Sequence, residues 1–127
     1  MKKKQSSTSL IWTYTPSRGV YWSGNQGWNV TTLHEEARKL PIQTMPVSAI
    51  DTSIKMWKCA THTDIIRHVI ATMNADLSYP IILSEDGEIM DGWHRVTKAI
   101  ATGVPTIKFV RFKENPAPDK YREEENN

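Results

Sequence analysis

The sequence predicts a single compact α+β domain, a small mixed sheet with packed helices. Two capped segments carry apolar residues at helical spacing, and several short runs are apolar or alternate like strands. The two kinds of segment follow one another without strict strand–helix alternation, which separates the chain from the parallel α/β class. A length of 127 residues suits one such domain.

Composition narrows the function classes. Sixteen Lys+Arg stand against 14 Asp+Glu, and the net charge of +2 is too small to argue for nucleic acid or a membrane surface. A single cysteine excludes a disulfide framework and a multi-cysteine metal knuckle. The basic start, residues 1–5, is followed by too few apolar residues for a secretory h-region. No apolar run approaches the roughly 20 residues that span a bilayer. A cytoplasmic protein without a membrane partner is expected, and Asn29-Val30-Thr31 is read as a chance sequon.

Residues 10–112 are assigned to the domain. Residues 1–9 and 113–127 are assigned to flexible tails, because their Lys, Ser, Pro and Glu content buries too little apolar surface to offset ordering entropy. Residues 10–14 alternate in part and suggest a strand. Residues 16–27 are rich in Ser, Gly and Asn and read as a loop, in or beside which Tyr21, Trp22 and Trp28 are core or stack on a base or a partner. Thr32 and Glu35 form a capping box for a helix that Pro41 stops. Met45, Pro46, Val47 and Ile50 suggest a short edge strand, where proline is tolerated.

Thr61 and Asp64 form a second capping box, and Ile65, Ile66, Val69, Ile70 and Met73 follow at helical spacing. Pro80-Ile81-Ile82-Leu83 reads as a buried strand. Ser84-Glu85-Asp86-Gly87 turns the chain into a return strand at Ile89-Met90. Residues 93–102 form a helix closed by Gly103, and residues 106–112 alternate as a last strand.

At about 100° per residue, Trp93, Val96, Ala99 and Ile100 share the inward arc of that helix. His94, Arg95, Lys98 and Thr102 share the other. Gly92 permits close backbone approach, and first-turn N–H groups attract anions. Together with Arg95, His94 and Lys98 they form what a phosphate-bearing ligand requires. Asp91 would repel a bare phosphate, so its place is holding Mg²⁺ or accepting a proton. The plain alternative is a solvated helix face with Asp91 as N-cap.

The run from Met45-Pro46-Val47 through the capped helix and the strand Pro80–Leu83 to Asp91-Gly92-Trp93-His94-Arg95 resembles the ParB/sulfiredoxin superfamily. The resemblance is strongest over residues 40–112, and the Asp-Gly-x-His-Arg signature is similar to that of its free-serine-kinase-type branch. It implies a ParB/sulfiredoxin-like fold whose loop and helix start, at Gly92, His94, Arg95 and Lys98, cradle the phosphates of ATP or CTP. It also implies a second wall at the start of the preceding helix, with Lys58, Thr61 and Thr63 meeting phosphate. Mg-dependent phosphoryl transfer or NTP hydrolysis follows, with Asp91 as catalytic residue and Mg²⁺ ligand and a small molecule or protein as phosphate acceptor. Trp93 stands where sulfiredoxin carries its cysteine, which argues against sulfinic acid reduction. The Gly-Glu-Arg-Arg of partition clamps is replaced by Gly92-Trp93-His94-Arg95, and no helix-turn-helix module is expected. The alternative is a non-catalytic nucleotide- or DNA-binding regulatory module, with a ParB-like nuclease as the weaker third reading. Cys59 is read as inert, His62 and His68 lack metal-binding spacing, and Glu85 and Asp86 are explained by their turn.

Overall fold

The computed structural model describes residues 19–54 and 59–123. The strand expected at residues 10–14, the tail at 1–9 and Lys58 lie outside the described residues. The described residues form an α+β domain with two sheets. Strands β1 (Val20–Ser23) and β2 (Gln26–Asn29) lead into helix α1 (Val30–Ala37) and edge strand β3 (Gln43–Pro46). A 3₁₀ turn at Val47–Ala49 precedes helix α2 (His62–Asn74), the hairpin β4 (Ile81–Leu83) and β5 (Ile89–Asp91), and helix α3 (Trp93–Thr102). Strands β6 (Thr106–Arg111) and β7 (Lys120–Tyr121) follow.

The larger sheet has the order β3-β6-β4-β5, with β4 parallel to β6 and its other pairs antiparallel. Strand β4 is flanked on both sides and covered on both faces, which is why Ile81-Ile82-Leu83 is uniformly apolar rather than alternating. Ile82, Met90 and Val110 face one layer with Trp28, Leu33 and Phe112. Ile81, Leu83, Ile89 and Ile107 face the other, against Val96 and Ala99 of α3. Pro46 is tolerated because β3 is an edge.

Helix α2 has the predicted reciprocal cap between Thr61 and Asp64, but no residue of it is fully buried. It packs on α3, and Ile65, Val69 and Met73 remain exposed. Ile100, expected inward, is also exposed. No helix among the described residues is long and apolar enough to cross a membrane.

Val47, expected in the edge strand, instead opens the 3₁₀ turn, and two longer segments also differ from expectation. The loop read at residues 16–27 is largely the β1–β2 hairpin, turned by Gly24 at φ 61° and Asn25. Glycine at the first central position with only that residue at positive φ fits a II′ turn. Residues 113–123 are not a loose tail. The buried indole of Trp28 donates to the Pro116 carbonyl at 2.7 Å, and β7 pairs with β2. Arg122 lies 4.4 Å over the Trp22 ring. Asp119 accepts from the Asn29 N–H (2.9 Å) and from the Thr32 hydroxyl (3.1 Å). Helix α1 therefore starts at Val30 rather than behind a Thr32 cap, and a remote carboxylate serves its first turn. Composition undervalued this segment because hydrogen bonds to particular partners, rather than apolar area, hold it.

Removing residues 114–127 should therefore lower stability by about 2–3 kcal/mol, since it orphans a buried indole N–H and the α1 start. Urea unfolding checks this, and an unchanged midpoint would show that the docked segment contributes nothing.

Candidate functional site

The start of α3 is shaped by Gly92. Its φ of 117° and ψ of 15° are open to glycine and costly for other residues. A Cβ there would stand 2.5 Å from Ile81 Cγ2 and 3.1 Å from Ile81 Cα, inside the central strand. The first intrahelical bond runs from the Val96 N–H to the Gly92 carbonyl at 3.0 Å, so the amides of the first turn point out of the helix end.

Asp91 closes β5 immediately before this turn. Its Oδ2 lies 2.8 Å from His34 Nε2 on α1 and 3.9 Å from Arg95 Nη1 on α3. Asp91 and Arg95 are mostly buried, with side chains 18% and 19% exposed. Arg95 also donates from Nη1 to the Pro80 carbonyl at 3.2 Å, which fixes the guanidinium against the entry to β4. Three elements thus converge on one carboxylate. They border a cleft of ≈ 1260 Å³, with Gly92, Trp93 and His94 on the same wall.

His34 is the residue that sequence reading missed. It lies 57 residues from Asp91, and no motif or spacing links the two. Only the packing of α1 on the sheet brings them together.

The other predicted residues divide. His94 reaches the cleft wall, but its Nε2 lies 2.9 Å from His68 Nδ1 with the rings stacked at 5.2 Å. Burial, helped by His68 and Arg95 and opposed by Asp91, pushes its pKa down to about 4. Burial also lowers that of His68, against the carboxylate of Asp64. His94 is therefore neutral at pH 7 and contributes a hydrogen-bonding ring rather than the expected cation. Lys98 is turned away from the cleft: its ammonium donates to the carbonyls of Met73 (3.0 Å) and Ala75 (2.6 Å), closing the C-terminus of α2. Thr61 is occupied as the N-cap of α2, accepting from the Asp64 N–H. Thr63 shares a helix face with Ile70, which lines the cleft, but precedes it by about 10 Å along the axis. Neither threonine lines the cleft. Asp91 is not the N-cap of α3, a place taken by Gly92. Glu85 is engaged outside the cleft, its carboxylate accepting from the distant Asn115 N–H. Cys59 is exposed.

The described wall carries four carboxylates, Asp51, Asp76, Glu88 and Asp91, and Arg95 as its one Arg or Lys side chain. Tyr21, Trp22, Tyr79 and Trp93 add aromatic surface. Burial and the neighbouring Glu88 carboxylate raise the Tyr21 phenol above its ordinary pKa, so it stays a neutral donor. Among the described residues no group of three His, Cys, Asp or Glu side chains could hold a metal ion. Comparison with protein-family models, curated proteins and solved structures found no match.

The histidine pair has a stability consequence. With its folded pKa near 4 and an unfolded value near 6.5, His94 takes up protons in the unfolded chain first as pH falls. Stability from keeping this group neutral is complete above about pH 6.5 and is lost downward through about pH 4. Urea midpoints of the wild type should fall between pH 7 and 4.5, and His94→Asn should flatten that slope. An equal slope in both proteins would contradict the assignment.

Proposed function

We propose that the cleft binds a nucleoside triphosphate, ATP or CTP, with its phosphates at the start of α3, and that Asp91 is the acid–base group of phosphoryl transfer or hydrolysis. The observation that carries this reading is the convergence of the α3 helix start, Arg95 and the His34-paired Asp91 on one cleft. Outward first-turn amides and a guanidinium suit phosphate oxygens. The ParB/sulfiredoxin resemblance of the same residues supports the reading.

Asp91 is held by His34 through one oxygen, which leaves the other to work on the ligand. In transfer, the acceptor hydroxyl, of water, a small molecule or a protein, gives its proton to Asp91. Its oxygen bonds to the γ-phosphorus as the bridge to the β-phosphate breaks, and nucleoside diphosphate leaves with the electron pair. If Mg²⁺ accompanies the nucleotide, Asp91 is the carboxylate that would hold it, with phosphate oxygens and water as its other ligands. Bound there, Mg²⁺ would neutralise phosphate charge beside a carboxylate-rich wall.

A non-catalytic nucleotide module is the second reading, favoured by the engagement of Asp91 with His34. DNA binding and nuclease action draw no support from a wall where four carboxylates face one arginine.

Calorimetric titration with ATP and CTP, with and without Mg²⁺, alongside phosphate release, tests the proposal. Arg95→Ala should weaken binding about 10- to 100-fold, the range for losing a charge-assisted hydrogen bond. Unchanged affinity in a folded Arg95→Ala protein would remove the phosphate role, and binding without turnover would leave the module.

A further inference from the structure

The hairpin register sorts the backbone groups of β1 into two sets. The Val30 N–H donates to the Gly19 carbonyl at 3.1 Å, so Gly19 and Val30 form a hydrogen-bonded pair. Antiparallel alternation then makes Tyr21–Trp28 and Ser23–Gln26 hydrogen-bonded pairs as well. The N–H and C=O groups of Val20 and Trp22 point the other way, away from β2. Among the described residues, the strand order β1-β2-β7 makes β1 an edge.

Outward groups along β2 and the turn before it are engaged instead. The Gly27 carbonyl accepts from the Asp119 N–H, the Asn25 carbonyl from the Arg122 N–H, and the Asn29 N–H reaches the Asp119 carboxylate. No such backbone partner meets Val20 or Trp22 among the described residues. Side chains alternate along a strand, yet the consecutive residues Gly19 to Trp22 all border the cleft. The backbone edge itself therefore faces it. Strand β5, an edge of the other sheet, also borders the cleft, with another consecutive run from Gly87 to Asp91.

We propose that the cleft edge of β1 binds an extended basic polypeptide segment as an added antiparallel or parallel strand, through the outward N–H and C=O groups of Val20 and Trp22. Only an extended main chain offers donors and acceptors at the spacing these groups require. The charge of the wall selects among such chains: Asp51, Asp76, Glu88 and Asp91 outweigh Arg95, so lysine or arginine side chains are favoured and acidic ones repelled. This goes beyond the nucleotide reading and needs no nucleotide for binding.

The test uses the full chain without nucleotide and a fluorescent octapeptide of alternating lysine and valine. The peptide should bind, and its glutamate–valine counterpart should not. N-methylating alternate backbone nitrogens on its pairing edge should weaken binding about tenfold or more, because charge is kept while strand hydrogen bonds are lost. Val20→Pro should have a similar effect, since it removes an outward N–H and leaves the β1–β2 hydrogen bonds in place. Peptide should slow amide exchange at Val20 and Trp22, with little change at Tyr21 and Ser23.

Binding indifferent to N-methylation would reduce the contact to charge and overturn the proposal, as would no binding at all. Strong protection of the Val20 and Trp22 amides in the free protein would show the edge already paired and would overturn it too. Because nucleotide affinity is measured separately, peptide binding without nucleotide binding would sink only the enzymatic reading. Nucleotide binding without peptide binding would sink only this one.

Discussion

Gly92→Ala is expected to destabilise the protein by about 2–4 kcal/mol, the combined scale of backbone strain at positive φ and overpacking of a buried strand. Two causes act at one position. The φ of 117° lies where side-chain-bearing residues are rare, and the added methyl meets Ile81 at 2.5 Å, with its Cα at 3.1 Å. Ile81 is fully buried in the central strand and has no open direction in which to retreat. Gly103 supplies the comparison. It also sits at positive φ, 74°, but a Cβ there meets nothing within 4 Å. Gly103→Ala should thus cost only the conformational part, about 1–2 kcal/mol. Urea unfolding of both variants separates strain from collision. Equal losses would mean that Ile81 moves aside, and the close approach at the α3 start would then have no structural force.

Asp91→Asn should lower turnover about 10²–10⁴-fold, the usual contribution of a positioned general acid–base group. Nucleotide affinity should change little, because asparagine still pairs with His34 and removes a negative charge near the phosphates. Without Mg²⁺ the affinity should rise. A variant that keeps full turnover would exclude Asp91 as the base. One that unfolds with no change in nucleotide affinity under stabilising conditions would make the Asp91–His34 pair structural alone.

How much was legible in the sequence depends on how local the cause is. The cap of α2, the β4–β5 turn, Gly92 and the closing Gly103 are each set by residues within a few positions of one another, and each is found where spacing placed it. The β1–β2 hairpin was hidden because Gln26, Gly27 and Asn29 make a strand of weak β propensity, carried by its neighbours. The docking of residues 113–123 was hidden because a few polar contacts at long separation replace apolar burial.

Within the site, Asp91, Gly92 and Arg95 share a short motif and are brought together on the cleft wall. Lys98 has the same helical spacing but turns to carbonyls of α2, a choice that depends on which helix packs beside it. His94 keeps its place and loses its charge, because burial against His68 is invisible to a one-dimensional pattern. His34 left no local signal at all.

The most direct test of nucleotide binding at the α3 start is a ¹H–¹⁵N titration of the full chain with Mg²⁺–ATP and Mg²⁺–CTP. Phosphates seated there should shift the amides of Trp93, His94 and Arg95 most strongly, with saturation at one nucleotide per chain and loss of the effect in Arg95→Ala. Saturating nucleotide that leaves those three amides in place, or that moves only resonances away from the cleft, would contradict it.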